Sequence, residues 1–294
     1  PRVMYGVYAV AIVLLVATLF APPIRGVRGW LVFGSWQFQT SEFAKIALLV
    51  IFSSFWAKAH IGIAHVKNLA VSFLFLVIPA GLVLAQPDMG STLILGGLWF
   101  GYLLVSGIKW KHLLTAAIIF AIGGAVLWSY FLADYQKERV RGLFYPERDP
   151  LGINYSVIQS KIAIGSAGWW GKGFGQGTQL RLGFLPEAET DFVFAAFIEE
   201  WGLVGGTAVL AAFMIVLIRI VLAGLSSNDN FSRMFCLGAV ILFLLHFILN
   251  TGSAIGLLPV IGVPFPFLSY GGSHLLTSLM IIGIIQGIVI RSKF

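Results

Sequence analysis

Long runs of apolar residues alternate with short polar connections along the whole chain. A transmembrane helix needs about 20 such residues and at least about 17. The pattern predicts eight of them, at Met4–Phe20, Phe43–Ala57, Leu69–Ala85, Ser91–Ile108, Leu113–Leu132, Phe192–Leu222, Met234–Gly256 and Leu275–Ile290. The second is short and is expected to extend into its flanks, whereas the sixth is so long that it must tilt or project. We therefore expect an all-α, polytopic membrane protein with about eight transmembrane helices in one transmembrane domain, residues 1–294.

The longest polar connection, residues 133–191, is large enough to have a function of its own. Within it, the apolar-biased stretch Asn154–Ala167 is too short to span, and we predict a helix at the outer membrane interface. Gly171–Gly177 invites comparison with phosphate-binding loops but lacks their spacing and context, so a flexible hinge is the favoured interpretation. Three prolines exclude a regular helix over Leu257–Gly272, which is either a re-entrant outer wall or a simple extracellular loop.

Composition supports this class of protein. The chain is 59% hydrophobic and only 11% charged, which excludes a soluble domain. Its net charge of +7 comes from basic residues that set topology, so no nucleic-acid partner is expected. The single Cys236 excludes an intrachain disulfide, and the five histidines lack the spacing of a zinc site. Because the chain begins at Pro1, almost within a span, we expect a missing N-terminal segment.

The positive-inside rule orients the predicted spans. The connections that we assign to the cytoplasm carry Arg2, Lys58, Lys67, Lys109, Lys111, Arg219, Arg233, Arg291 and Lys293, with Asp229 as their one acidic residue. The connections 21–41, 86–90, 133–191 and 257–274 then face outward. Eleven of the 12 acidic residues fall on that side, so the chemistry is expected there.

Asp191 lies where the polar connection turns into the apolar run that begins at Phe192. A lipid-facing carboxylate costs about 2.5–3.5 kcal/mol at full depth and less near the surface. We therefore predict that Asp191 lines a cavity. Glu42 and Lys45, three residues apart at the outer end of the second span, either form a buried ion pair that holds helices together or line the same cavity, and both interpretations can hold together.

Other outward-facing polar residues have weaker signals. Arg25 and Arg28 supply guanidinium groups that suit phosphate oxygens, although a single surface arginine is more often only solvated. Asp88, in the turn 86–90, either caps the following span or takes part in function.

Two pairs of residues lie on predicted spans. If a regular helix begins at Asp191, Glu199 and Glu200 lie about 12–13 Å deeper. Glu199 is then expected to share or tune the cavity, and Glu200 to bond another helix. His246 and Asn250 are expected to be interhelical hydrogen-bonding residues and nothing more.

A set of motifs occurs in order along the chain: Gln159–Ser166, Gly171–Gly173, Gly177–Gln179, Phe184–Glu187, Thr190–Phe192, Glu199–Glu200 and Pro264–Ser273. Together they resemble the SEDS family over essentially the whole chain. The first three motifs resemble its RodA elongation branch more than its FtsW division branch. Family members typically have ten spans, so this chain is expected to lack the first two.

The resemblance implies a peptidoglycan glycosyltransferase that polymerises lipid II, an undecaprenyl-diphosphate-linked disaccharide peptide, into a growing glycan strand for cell elongation and shape. It implies a site on the outer face of the bacterial cytoplasmic membrane, contact with membrane lipids, and a class B penicillin-binding protein as partner. The family's essential carboxylate falls on Asp191. The substrate contacts that the resemblance implies are Arg28, Glu42, Lys45, Asp88, Gln159, Lys161, Glu199, Ser269 and Tyr270.

The chain departs from the family pattern at Gly29, where a second arginine is usual, at Thr40, where a proline is usual, and at Glu189, where a basic residue or histidine is usual. Glu189 either raises the proton affinity of Asp191 or helps hold a cation. The resemblance also associates a divalent cation, Mg²⁺ or Mn²⁺, with activity, and Glu189 and Asp191 are its candidate contacts.

The chemistry of glycosyl transfer agrees with these residues. Transfer from a diphosphate needs a base for the acceptor hydroxyl and positive charge for the leaving group. One carboxylate suffices for a single inverting displacement, whereas retention requires a second, nearby nucleophile. Asp191 is the predicted base, and Arg28, Lys45, Lys161 or a cation would hold the diphosphate. The alternatives are a flippase or transporter for the same precursor, for which midplane polar groups and an internal repeat are expected but not seen, and a non-catalytic scaffold.

Overall fold

The computed structural model describes residues 2–24, 26–34, 36–59, 66–105, 110–131, 134–145 and 149–292. These residues are mostly helical. The helices are α1 (Arg2–Leu19), α2 (Thr40–Ala59), α3 (Val66–Ala85), α4 (Met89–Val105), α5 (Trp110–Val126), α6 (Asp134–Phe144), α7 (Tyr155–Ser166), α8 (Thr178–Arg181), α9 (Val193–Leu225), α10 (Asn230–Ala254) and α11 (Gly272–Ser292). A π-helical turn, Leu127–Phe131, follows α5, and two strands, β1 (Trp30–Phe33) and β2 (Trp36–Gln39), precede α2.

The predicted membrane spans are confirmed as apolar helices. Among the described residues, five stretches are long and apolar enough to cross a membrane: Thr40–Lys58, Lys67–Ala85, Val193–Leu225, Asn230–Ala254 and Gly272–Ser292. The shorter apolar helices α1, α4 and α5 account for the other predicted spans. The second span begins at Thr40, so it does extend into its flank. The predicted ends Ile108 and Leu132 lie outside the described residues. The chain is a multi-pass membrane protein.

The sixth predicted span is divided at Gly202. Instead of one tilted helix, α9 contains a break where Gly202 has φ 72° and ψ −174°, a conformation that is essentially restricted to glycine. Beyond the break, the amides of Leu203 and Val204 donate to the carbonyl oxygens of Gly168 (3.0 Å) and Trp169 (3.1 Å). The segment after α7 therefore supplies the acceptors that the interrupted helix lacks.

The chain forms two compact units, the first from residues 1–116, 217–245 and 272–294 and the second from residues 117–216 and 246–271. That residues 1–294 act as one transmembrane domain stays a prediction. In the first unit, α2 packs against α1, α3, α4 and α11. Its side chains Leu48, Phe52 and Trp56 are fully buried. This central position explains why α2 carries so much of the buried surface.

Small residues and buried hydroxyls connect helices in the first unit. Gly97 of α4 faces α10, and a Cβ there would lie 2.9 Å from Leu245 Cδ1. Such close approach is common between membrane helices, where polar side chains also bond across the interface. Ser53 Oγ and Tyr102 Oη share a hydrogen bond of 2.9 Å, and Tyr102 Oη donates to the carbonyl oxygen of Met234 (2.9 Å). The two contacts link α2, α4 and α10.

The hairpin of β1 and β2 is not predicted by the sequence analysis, which treats residues 21–41 only as an outer connection. The strands pair antiparallel, with Trp30 opposite Gln39 and Phe33 opposite Trp36. Strand β2 continues directly into α2, and the amide of Gln39 donates to Ser273 Oγ (3.0 Å) at the start of α11. The hairpin thereby fixes the outer end of α2.

Two aspartates cap membrane helices. Asp88 Oδ1 accepts the amide of Ser91 (2.9 Å) at the start of α4, which confirms its predicted capping function. Asp229 Oδ1 accepts the amide of Ser232 (2.9 Å) at the start of α10. Burial acts to raise the pKa of Asp229, but hydrogen bonds from the hydroxyl and amide of Ser232 outweigh it, so that pKa lies below its usual value.

In the second unit, α7 packs against the turns that precede α9. Leu185, Ala188 and Phe192 form a buried cluster to which Val157 and Ile164 of α7 add. The predicted helix within Asn154–Ala167 is confirmed, whereas its place at the membrane interface stays a prediction. Helices α6 and α8 were not predicted, because charged and short segments carry little periodic signal.

Candidate active site

Asp191 lies in a tight turn and not at the start of a helix. The carbonyl oxygen of Glu187 accepts the amides of Thr190 (3.2 Å), Asp191 (3.0 Å) and Phe192 (3.2 Å), and α9 begins only at Val193. The expected depth of Glu199 assumed a regular helix that begins at Asp191. Because α9 begins at Val193, that condition is not met, and the depth stays a prediction. Asp191 is half-buried, while Phe192 is buried beneath it and holds the turn in place.

The backbone of this turn is hydrogen bonded from two other segments. Asn250 Nδ2, on α10, donates to the carbonyl oxygens of Asp191 (2.9 Å) and Val263 (2.8 Å). Ser269 Oγ donates to the carbonyl oxygen of Thr190 (2.6 Å), and the amide of Tyr270 donates to that of Glu189 (2.8 Å). Every backbone carbonyl from Glu189 to Asp191 is thus held, and the side chain of Asp191 is presented on a rigid support.

The Asp191 carboxylate faces the glycine at position 262. A Cβ built on Gly262 would lie 3.8 Å from Asp191 Oδ2, and Gly262 has φ +71°, where other residues are strained. The segment that contains it, residues 255–271, has no regular helix, as the prolines predict. Whether this segment is re-entrant stays a prediction.

Glu199 binds the loop that follows α7. Its carboxylate is fully buried and accepts hydrogen bonds from Lys172 Nζ (2.7 Å), Thr178 Oγ1 (3.0 Å) and the amide of Gln179 (3.0 Å). A buried carboxylate is tolerated when it is paired and bonded in this way. A direct substrate contact by Glu199 stays a prediction, and these bonds indicate that it orders the loop.

Glu200 and the glycine-rich loop also differ from expectation. Glu200 Oε1 accepts the amide of Gly175 (3.0 Å), so the prediction that it bonds another helix is wrong. The amides of Lys172 and Gly173 donate to the carbonyl oxygens of Glu199 (2.9 Å) and Glu200 (3.0 Å). The loop interpreted as a flexible hinge is therefore tied to α9 by several bonds.

In the first unit, Glu42 is the centre of a buried ionic cluster. Its Oε1 accepts Lys45 Nζ (2.7 Å), and its Oε2 lies 3.3 Å from His274 Nδ1. The side chains of Glu42 and Lys45 are each 2% exposed, so the pair is removed from water. The buried-pair interpretation is confirmed. That the pair shares a cavity with Asp191 stays a prediction.

The other expected substrate contacts occupy varied positions. Asp88, besides capping α4, accepts hydrogen bonds from Gln39 Nε2 (3.2 Å) and Ser41 Oγ (3.1 Å). Arg28 is exposed, Gln159 is half-buried on α7, and Lys161 is exposed on the same helix.

Near Asp191, Glu189 is exposed, Tyr270 is 76% exposed and Ser269 is buried. The geometry assigns Ser269 a supporting contact, whereas Tyr270 is accessible from outside. Arg25 lies outside the described residues.

Three residues of these clusters have contacts that the sequence did not predict. Asn250 holds Asp191 and is more than the interhelical bonding residue that we expected, and His246 likewise contacts a loop carbonyl, that of Pro264 (3.1 Å). His274 was not singled out, although its position just after Gly271-Gly272-Ser273, at the outer start of a span, is a usable signal.

The residues near Asp191 can be compared with the needs of a divalent cation. Within the described part of the chain, no three His, Cys, Asp or Glu side chains come together as a metal site. Mg²⁺ commonly binds through only one or two protein carboxylates, keeps several waters and takes its remaining ligands from substrate phosphates. Glu189 and Asp191 lie on one turn, and a cation shared between them stays a prediction.

The chain is similar over its whole length to a known protein family. Residues 1–293 match the model of the FtsW, RodA and SpoVE family, described as "Cell cycle protein". The chain is 38% identical to peptidoglycan glycosyltransferase MrdB of Escherichia coli K12 over 298 residues, which covers 100% of this chain and 80% of that protein. It is 34% identical to a probable peptidoglycan glycosyltransferase FtsW of Trichlorobacter lovleyi, covering 95% of this chain and 74% of that one.

Solved structures show the same fold. A chain from the structure described as "Structural coordination of polymerization and crosslinking by a peptidoglycan synthase complex" superposes with a TM-score of 0.81 at 34% identity, covering 99% of this chain and 82% of that one. The rod shape determining protein RodA of Thermus thermophilus gives 0.68 at 28% identity, covering 98% and 77%. The chain belongs to the FtsW/RodA/SpoVE family, known as SEDS.

Proposed function

We propose that this protein is a peptidoglycan glycosyltransferase that polymerises lipid II into glycan strands by inverting transfer, for cell elongation and shape. The observation that carries the proposal is the turn that presents Asp191, whose backbone is held by Asn250, Ser269 and Tyr270. Family membership supports the same activity, because relatives in both branches are named peptidoglycan glycosyltransferases.

In the proposed reaction, the Asp191 carboxylate takes the proton from the acceptor hydroxyl. The acceptor oxygen then forms a bond to the anomeric carbon of the donor, and the bond from that carbon to the diphosphate breaks. The diphosphate leaves with the electron pair. A rigid base raises the rate because the reacting groups are already oriented.

Positive charge must face the diphosphate as it leaves. Arg28 is exposed and accessible to this anionic group. A divalent cation held by Asp191 and Glu189 would neutralise further charge on the diphosphate. Lys45 is the weaker candidate, because its charge is already compensated by Glu42.

We further infer an outward-facing site in the bacterial cytoplasmic membrane and a class B penicillin-binding protein as partner. The distribution of basic residues supports the orientation. The structural relative in a complex that coordinates polymerization and crosslinking supports a partner that performs crosslinking.

The test is polymerisation of purified lipid II by the protein with its partner, comparing wild type with Asp191→Asn and Asp191→Ala. Both substitutions remove the base, and we expect a loss of at least about 100-fold in rate, in the range of general base catalysis. Gel separation of the glycan products measures it. Wild-type rates from Asp191→Asn would contradict the assignment. Movement of lipid II across vesicles without polymer would favour the transporter instead.

A further inference from the structure

A small, partly open cavity of about 60 Å³ lies in the second unit, between α6, α7 and the connection 256–260. A ligand larger than a single polar group would extend out of it through the open side. Two cationic side chains line it, Arg139 from α6 and Lys161 from α7, together with Asn154. No acidic side chain is among its described lining residues.

The two cations are held differently. Arg139 is fixed across the cavity by a hydrogen bond from its Nη1 to the carbonyl oxygen of Val260 (3.0 Å). Lys161 forms no ion pair with any residue that the structure describes, in contrast to Lys45 and Lys172, each of which is paired with a glutamate. The charge of Lys161 is therefore available to a ligand.

Two glycines make room for this arrangement. A Cβ on Gly256 would lie 2.4 Å from Lys161 Cε and 2.5 Å from its Nζ, and Gly256 has φ +73°. On the opposite wall, a Cβ on Gly142 would lie 2.3 Å from Asn154 Oδ1. The lysine lies flat against a glycine backbone, and any larger residue at 256 would displace it.

The rest of the lining is mostly apolar and includes Leu143, Val157 and Leu258. Cations combined with apolar walls suit an amphiphilic anion, such as a phosphate group attached to a lipid or a sugar. Asp191 does not line the cavity. An anion in this cavity can therefore be a different one from the diphosphate that leaves the reacting carbon.

We propose that this cavity binds the diphosphate of the lipid-linked acceptor. This inference rests on the proposed function, in which donor and acceptor are both diphosphate-linked saccharides. The donor's diphosphate is attached directly to the reacting carbon, whereas the acceptor's diphosphate is separated from the reacting hydroxyl by its saccharide. Gly256, beside Lys161, and Gly262, beside Asp191, are six residues apart, so their Cα atoms are at most about 20 Å from each other.

The test is steady-state polymerisation with lipid II varied as acceptor and a preformed lipid-linked strand saturating as donor. We compare wild type with Lys161→Gln, Arg139→Gln and Gly256→Ala, with Lys161→Arg as the conservative variant. Arg181→Gln, an exposed cation on α8 outside the cavity, is the matched control.

The first three variants are expected to raise KM about tenfold or more, the loss expected for one charge-assisted hydrogen bond, with kcat within about twofold. Lys161→Arg and Arg181→Gln should stay within about threefold of wild type. A tenfold fall in kcat at unchanged KM would place Lys161 at the leaving group and overturn the proposal, as would unchanged kinetics.

Two further measurements are needed. The first distinguishes the diphosphate of the acceptor from the phosphate of a membrane phospholipid, and the second distinguishes failure of the cavity proposal from failure of the proposed function. Repeating the kinetics in nanodiscs of phosphatidylcholine and of phosphatidylglycerol should leave the KM effect in both. An effect only with phosphatidylglycerol would assign the cavity to a phospholipid and overturn the acceptor site.

Titration with geranylgeranyl diphosphate tests binding to the cavity without catalysis. We expect Asp191→Asn to bind this probe like wild type, and Lys161→Gln to bind it at least tenfold more weakly. Equal binding by Lys161→Gln would overturn the cavity proposal while leaving the polymerase assignment intact.

Discussion

At the residue scale, the position of Asp191 depends on side chains that never need to touch a substrate. Asn250 bonds two carbonyl oxygens at once, that of Asp191 and that of Val263. Ser269 bonds the preceding carbonyl and also accepts the amide of Phe265 (2.8 Å). These bonds hold the backbone that carries the Asp191 carboxylate, and a positioned base is the arrangement that efficient general base catalysis requires.

Asn250→Leu is expected to lower the rate of polymerisation about 100-fold, because a displacement of the base by about 1 Å has that effect. The assay is glycan synthesis from lipid II, with thermal unfolding of the same preparation to confirm that the variant is folded. Thr251→Val, which removes a hydrogen bond within α10 itself, is the control and should remain active. Full activity of Asn250→Leu would show that the turn holds Asp191 unaided.

The Glu42–Lys45 pair is expected to affect the free energy of unfolding. Either Glu42→Gln or Lys45→Met breaks this buried ion pair by removing one of its members, at a cost of about 3–5 kcal/mol in the free energy of unfolding. The double variant should lose clearly less than the sum of the two single losses.

Thermal unfolding in detergent measures all three variants. Glu138→Ala, which removes the exposed partner of Arg141, is the control and should cost less than about 1 kcal/mol. Additive losses in the Glu42 and Lys45 series would mean that the two side chains do not interact energetically.

Part of the site was visible from the sequence at this scale. Charged residues are rare at the ends of apolar runs and are therefore candidates for a function. Asp191, Asp88 and the Glu42–Lys45 pair are such residues. Asn250 and His274 gave weaker signals, because an uncharged polar residue within a span is usually a helix-to-helix contact. Asn250 differs because it bonds backbone carbonyl oxygens outside the helices, and only the tertiary structure shows these partners.

At the scale of elements, α9 follows the Asp191 turn and binds the loop after α7 on both sides of the break at Gly202. The part of α9 before Gly202 carries Glu199 and Glu200, and both bind the segment 172–180. The part after Gly202 donates its first two amides to the carbonyl oxygens of Gly168 and Trp169. Irregular backbone of this kind is tolerated in membrane proteins where another part of the protein satisfies its polar groups.

Gly202→Ala should therefore be strongly destabilising. The substitution costs about 1–3 kcal/mol in backbone strain, and its Cβ would also lie 2.3 Å from the carbonyl oxygen of Trp169. Thermal unfolding should show a lower midpoint together with reduced polymerisation. Gly165→Ala, at a helical position of α7 with open space around it, is the control and should be neutral or stabilising. Equal midpoints for the two variants would contradict the importance of the break.

The apolar runs predicted the membrane helices but not this break or the β1–β2 hairpin. Hydropathy predicts which segments are buried in lipid. Because the run is apolar on both sides of Gly202, hydropathy gives no sign of the break. The hairpin depends on pairing between Trp30–Phe33 and Trp36–Gln39, and such short segments are ambiguous in sequence. Composition and periodicity therefore predict which segments span the membrane, whereas tertiary hydrogen bonds determine where a helix is interrupted or ends.

At the scale of the whole molecule, the predicted orientation can be tested because Cys236 is the single cysteine and is buried. In a Cys236→Ala background, Gln176→Cys places a thiol in the glycine-rich loop and Asn228→Cys places one between α9 and α10, both at exposed positions. A membrane-impermeant maleimide should label Gln176→Cys in intact cells and Asn228→Cys only after permeabilisation. The reverse result would invert the topology and remove the site from the outer face.

The bonds between Gly168 or Trp169 and the amides beyond Gly202 also bear on biosynthesis. The two acceptor carbonyls leave the ribosome about 35 residues ahead of the amides that they satisfy, and synthesis runs from the N-terminus. When the interrupted helix enters the translocon, its acceptors have already been made. The nascent chain can therefore insert this discontinuity without leaving bare donors in the hydrocarbon.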